Sequence, residues 1–171
     1  MDSLFLRART QSDLGNAAQA AEMYRQVLAA SPNHQKATYN LGVLARRAGD
    51  FRQAEQYLMQ AAAISSGRIK AKALHQLGLA HGGAGQWDQA VQYLTESVNL
   101  RPDASRVWLD LGNAEWKRNR LDEAHAAIGK GLALNRRSAD ANLLMGLLQA
   151  ERGNRVAADA RGGNVVRIPR D

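Results

Sequence analysis

The sequence predicts an all-α solenoid of about four to five helix-turn-helix units, and three ladders of recurring residues predict it. A missed period misassigns a whole fold, so repeats come before motifs. The first ladder is Gly42, Gly78, Gly112 and Gly146, each preceded by a leucine or methionine (Leu41, Leu77, Leu111, Met145), at spacings of 36, 34 and 34. The second is Ala20, Ala54, Ala90, Ala124 and Ala158, at spacings of 34, 36, 34 and 34. The third sets a turn residue five before each alanine: Gly15, Gly49, Gly85, Asn119 and Gly153. All three take up two extra residues in one interval, which places an insertion between Ala54 and Gly78. The polar stretch Ser65-Ser66-Gly67-Arg68 reads as a lengthened loop there.

The elements follow in order. Unit one covers about 1–34, and its first helix is degenerate, with Arg7 and Ala8 where later units carry Leu and Gly, as terminal repeats often are. Unit two, at 35–68 with its loop to 70, shows the hairpin plainly. Leu41, Leu44 and Ala48 share one face, Gly49-Asp50 punctuates, and Phe51, Ala54, Leu58 and Ala61 recur at helical spacing. Units three and four, at 71–104 and 105–138, repeat the pattern, with Trp87 and Leu121 in the place of Phe51 as bulky fillers between neighbouring hairpins. Asp103 and Ser138 stand where they can cap the helices that follow, and Pro32 and Pro102 suit the connecting loops. Unit five, 139–161, keeps an apolar first helix (Leu143, Leu144, Met145, Leu147, Leu148) and a second that stops near Arg161. A glycine inside a helix costs about 1 kcal/mol relative to alanine, so its fourfold use implies backbones packed too closely for a side chain. The alanine ladder marks the matching contact on each second helix.

The pattern W-x2-L-G at Trp108, Leu111 and Gly112, then G-x-W-x2-A at Gly85, Trp87 and Ala90, with Pro32 and Pro102 near unit ends, resembles the tetratricopeptide repeat. The likeness spans 1–161 and implies a right-handed superhelix whose first helices line a concave groove where ligands bind. Offsets of −6, −3, +1, +4 and +5 from each ladder glycine fall on one stripe of such a helix. They select Lys36, Tyr39, Val43, Arg46 and Arg47, then Lys72, His75, Leu79, Gly82 and Gly83, then Arg106, Leu109, Asn113, Trp116 and Lys117. In the last unit they select Asp140, Leu143, Leu147, Ala150 and Glu151. The expectation is an apolar floor of Tyr39, Val43, Leu79, Leu109, Leu143 and Leu147, edged by the basic residues. Gly82 and Gly83 are expected to leave a gap in it. Exposed contiguous apolar surface marks interaction sites, and Tyr39 and Trp116 are of the type that anchors partners. A peptide or protein ligand with acidic flanks fits this stripe. One subclass of the family clamps a terminal carboxylate with Lys and Asn in its first units; Phe5, Arg9, Tyr39 and Val43 stand there instead, which argues against that ligand.

Composition agrees with an adaptor rather than an enzyme. Hydrophobic residues make up 45% of the 171 and only three are proline, which suits a packed helical chain. The absence of cysteine excludes a disulfide framework and a thiolate metal site. An apolar run of only Leu4–Leu6 after Asp2 is not a secretory signal, and no stretch nears the roughly 18 apolar residues of a membrane span. A cytoplasmic location is expected. The net charge is +7, of which +3 lies from Arg152 onward, so the body is only mildly basic. That argues against nucleic acid as the partner, although a basic solenoid that binds it is the second reading, recognisable by steep salt dependence. A third is an accessory array of a larger enzyme such as a glycosyltransferase, which the resemblance also allows.

No catalytic or cofactor site is expected. His34, His75, His81 and His125 lack the i, i+4 spacing of a helical metal pair and are read as solvated or groove-lining. The run from Gly78 to Gly85 has no following Lys-Ser or Lys-Thr and so is no phosphate loop. The tail at 162–171 is basic, with Val165, Val166 and Ile168 as its apolar residues. It reads either as an extended free end or as a segment that docks. Self-association through it or through the last repeat is the accompanying expectation.

Overall fold

The computed structural model describes residues 2–162, with side-chain surroundings for 3–156. The described residues hold nine helices and no strand: α1 (Asp2–Asp13), α2 (Ala17–Ala30), α3 (Gln35–Arg47), α4 (Phe51–Ile64), α5 (Gly67–Gly83), α6 (Trp87–Leu100), α7 (Ser105–Lys117), α8 (Leu121–Leu134) and α9 (Ala139–Gly162). The first eight pair as hairpins in sequence order, and α9 stands alone after them. Contacts also join α3 to α5, α5 to α7 and α7 to α9, so these first helices form one continuous wall.

The turn ladder works through backbone sign. Gly15, Gly49, Gly85 and Asn119 have φ of +85°, +79°, +75° and +67°, the left-handed conformation that ends a helix and that glycine or asparagine adopts at least cost. The following residue then donates back to a carbonyl of the last turn, as Asp50 N does to Ala45 O at 3.0 Å and Gln86 N to His81 O at 2.8 Å. The mid-helix glycines work through contact. A Cβ on Gly42 would lie 2.5 Å from Leu58 Cγ, one on Gly78 2.5 Å from Leu94 Cγ, and one on Gly112 2.6 Å from Ile128 Cγ1. Each glycine is the socket for one apolar plug, four residues beyond the ladder alanine of the partner helix. Tyr24, Leu58, Leu94 and Ile128, the plugs of four hairpins, are all fully buried.

Three expectations are corrected. The two-residue insertion lengthens a helix rather than a loop. Gly67 (φ +50°) and Arg68 lie in the first turn of α5, which runs 17 residues against 13 for α3 and α7. Asp103 caps nothing: α7 has no side-chain cap, and Asp103 pairs with Arg101 at 3.3 Å. Ser138 does cap, accepting from Ala141 N at 3.2 Å, as Asp50 does from Gln53 N at 3.0 Å and His34 Nδ1 from Ala37 N at 3.1 Å. The turn expected at Gly153 is absent, and α9 continues through it to Gly162. The sequence carries the reason. Arg155 occupies the place of Phe51, Trp87 and Leu121, and Gly162 that of the plug, so a folded-back helix has neither filler nor plug to bury. Residues 163–171 of the expected tail lie outside the described residues.

One buried hydrogen bond ties a second helix to its hairpin partner, where Ser97 Oγ donates to Ala71 O at 2.8 Å. Ser97→Ala is expected to lower the unfolding free energy by about 1 kcal/mol, read by urea denaturation.

Candidate functional site

The glycine sockets turn the opposite stripe of each first helix outward, and the wall formed by α3, α5, α7 and α9 presents most of the expected residues. Lys36, Arg47, Lys72, Arg106 and Lys117 are exposed, and Tyr39, Val43, Arg46, His75, Leu79, Asn113 and Trp116 are half-buried. Leu109 is the exception. It is only 4% exposed and packs with Ala124, Ile128, Ala141 and Leu148, because Gly131 of α8 leaves a pit that its side chain fills, 2.6 Å from where a Cβ would be. The floor is therefore Tyr39, Val43 and Leu79 on one side, and Leu143 and Leu147, 63% and 50% exposed, on the other.

The gap at Gly82 and Gly83 is largely filled by the chain itself. A Cβ on Gly83 would lie 2.8 Å from the Phe51 ring and one on Gly82 3.2 Å from Trp87. Beside them a cavity of about 260 Å3 remains, bounded by Leu79, Trp87, Asp110 and Asn113. Two more cavities lie along the wall, one of about 240 Å3 at Tyr39, Lys72, His75 and Arg106, and one of about 270 Å3 at Arg106, Asp110, Asp140 and Leu143. Asp110 or a residue bonded to it lines all three.

A polar spine crosses the wall from repeat to repeat. Arg46 Nε donates to Gln76 Oε1 at 2.8 Å, and His75 Nε2 meets Asp110 Oδ2 at 2.7 Å. Arg106 reaches Asp110 at 3.5 Å and Asp140 at 2.9 Å, and Trp116 Nε1 donates to Glu151 Oε2 at 2.5 Å. Burial, then the Arg47 charge, lowers the pKa of the Arg46 guanidinium, whose hydrogen-bond partner here is an uncharged amide. Burial likewise raises the Tyr39 phenol, against the pull of Arg46 and Arg47. Lys36, Arg47, Lys72 and Lys117 form no ion pair among the described residues.

Gln76 and Asp110 fall outside the stripe read from the sequence. Both stand two residues before a ladder glycine, as Asn40 does, which bonds Tyr24 Oη at 2.9 Å. A polar residue at one offset in three successive units was the available signal. His81 departs from expectation too. It is 8% exposed, stacked on Tyr93 at 5.1 Å, with Nδ1 2.7 Å from Gln86 Oε1, and so is neither solvated nor on the wall. Among the described residues no three His, Asp or Glu side chains gather as a metal site, and no helix is long and apolar enough to cross a membrane.

Family models described as tetratricopeptide repeat match residues 2–34, 34–103 and 83–148. Among solved structures, PilF of Pseudomonas aeruginosa is 25% identical with a TM-score of 0.80, over 93% of this chain and 72% of that one. MamA from Desulfovibrio magneticus RS-1 is 23% identical with a TM-score of 0.73, over 81% and 77%. YrrB, described as a TPR protein with an unusual peptide-binding site, is 20% identical with a TM-score of 0.73, over 89% and 77%. No curated protein sequence matches.

Proposed function

We propose, from the fact that this chain belongs to the tetratricopeptide-repeat family, that it is a scaffold whose first-helix wall holds a segment of a partner polypeptide. Proteins of this family are generally non-catalytic interaction scaffolds. The observation that carries the reading for this chain is the wall itself. Tyr39 and Leu79 stay partly open beside cavities of about 240 and 260 Å3, and Val43 is half-buried on the same stripe, although the sockets on the other face of the same helices are closed. Half-open aromatic and aliphatic groups beside fixed polar groups are what a docked peptide needs, with apolar contact for affinity and the spine for register. Exposed cations at Lys36, Arg47 and Lys72 favour a segment that carries acid. YrrB, with its peptide-binding site in a similar fold, is consistent with this use.

The test is a display selection of random peptides on the intact chain, followed by anisotropy of the selected peptides on a Tyr39→Ala/Leu79→Ala variant shown to be helical by circular dichroism. The variant is expected to bind at least about 10-fold more weakly, since each anchor is worth about 1–2 kcal/mol. Unchanged binding would contradict the reading. A fall in affinity with salt as steep as that of a multi-phosphate contact would instead favour nucleic acid.

A further inference from the structure

We infer that the wall is bipartite: it takes a segment with an acidic block, held at Lys36, Arg47 and Lys72, and a separate pair of apolar anchors, held at Leu143 and Leu147. This division presupposes that the wall is the binding face, and it adds the chemistry and the order of what lies there.

The charges divide the wall. On α3 and the start of α5, Lys36, Arg47 and Lys72 are exposed without an ion pair among the described residues, and Arg46 has only the Gln76 amide. Across the middle of the wall Arg106 and His75 are already engaged: Asp110 takes His75 and Arg106, and Asp140 takes Arg106 again. On α7 only Lys117, in the last turn, is exposed without an ion pair among the described residues. Asp110 is 15% exposed by side chain and lines two of the three cavities. It already sits where a ligand carboxylate would go, so an incoming acid there meets a like charge in a half-buried setting. That is a penalty which rejects the wrong register. Acid is therefore accepted at one end of the wall and refused at its middle.

The apolar end lies at α9, the last described first helix. In the earlier units the next first helix packs beside the stripe, and Tyr39 and Leu79 are half-buried. No described first helix follows α9, and Leu143 and Leu147, one turn apart, stay 63% and 50% exposed, Leu143 lining the 270 Å3 cavity. First helices pack roughly 8–10 Å apart, so α3 and α9, three steps apart, are separated by roughly 24–30 Å. An extended chain at about 3.3 Å per residue spans that in roughly 7–9 residues.

The test uses random peptides of about 16 residues displayed against the intact chain, a length that spans the wall with margin at the extended rise per residue. Selected peptides are expected to carry clustered acids separated by roughly 7–9 residues from a pair of large apolar residues. In anisotropy, Lys36→Glu/Arg47→Glu/Lys72→Glu is expected to weaken them by about 100-fold, and to leave versions with the acids changed to Gln nearly unaffected. Leu143→Glu/Leu147→Glu is expected to cost about 10-fold. A glutamate placed midway is expected to weaken wild-type binding about 10-fold and Asp110→Asn binding far less. Peptides that need Tyr39 and Leu79 but carry acids evenly, or are indifferent to Leu143 and Leu147, would overturn the division and leave the wall as the binding face. Peptides indifferent to Tyr39 and Leu79 would overturn both. A sedimentation mass that doubles with concentration and reverts in Leu143→Glu/Leu147→Glu would assign the leucines to a second copy, and would overturn the division too.

Discussion

Gly78→Val is expected to lower the melting temperature by roughly 10 °C, from an overpacking cost of about 3 kcal/mol in an array of this size. Gly146→Ala is expected to raise it by about 3 °C, from a gain of about 1 kcal/mol. The two glycines occupy the same rung of the same ladder. A Cβ on Gly78 would lie 2.5 Å from Leu94 Cγ and 3.2 Å from the Ala90 carbonyl oxygen. Leu94 is fully buried with nowhere to retreat, and the carbonyl belongs to helix backbone. A valine must therefore pry α5 from α6. Gly146 has nothing within 4 Å, because α9 has no partner helix on that side among the described residues. There alanine only removes the entropy that glycine costs a helix. Thermal circular dichroism of the two variants decides the matter, and a shift of the same sign in both would show that socket packing is not why the ladder is glycine.

Leu148→Ala is expected to destabilise the chain by about 3 kcal/mol, and Leu147→Ala by less than about 0.5 kcal/mol. Leu148 is 0% exposed and packs with Ile128, Ala124, Ala141 and Leu109, so truncating it opens a cavity in the last core of the array. Its neighbour Leu147 points to the other side and is 50% exposed. The larger loss reflects the work of α9. With no second helix after it among the described residues, α9 covers the apolar face of α7 and α8 through Leu148, Leu144 and Met145. It adds Asp140 to Arg106 and Glu151 to Trp116 at the rim. A solenoid end left uncovered exposes one full repeat face. Urea denaturation separates the two leucines, and equal losses would mean that α9 does not seal the array. Leu147→Ala, folded as wild type, then becomes a clean probe of binding.

What the sequence made legible was whatever a local rule enforces. Gly49, Gly85 and Asn119 are readable as turns because only a few residues take a left-handed backbone, and Gly42, Gly78 and Gly112 because a helix tolerates glycine only for a reason. The outward stripe followed from the same register, which is why Tyr39, His75, Leu79 and Asn113 stand on the wall. The errors fall where two elements decide jointly. Leu109 turns inward only because Gly131, on another helix, leaves it a pit. Gly83 is filled by Phe51 from the preceding hairpin. Asp110 is a spine residue only because His75 and Arg106 come from different turns and helices to meet it. The continuous α9 was legible in principle: Gly153 and Ala158 keep their ladders, but Arg155 and Gly162 stand where the filler and the plug belong. A turn residue and a small residue do not make a hairpin when the filler and plug are missing.

Amide chemical-shift mapping during titration with a selected peptide shows whether a partner segment lies along the first-helix wall. The shifted amides and side chains are expected to concentrate on α3, α5, α7 and α9, among them the Asn113 side chain, the Leu79 methyls and the Trp116 indole N–H. Shifts confined to α2, α4, α6 and α8, with those groups unmoved, would contradict it.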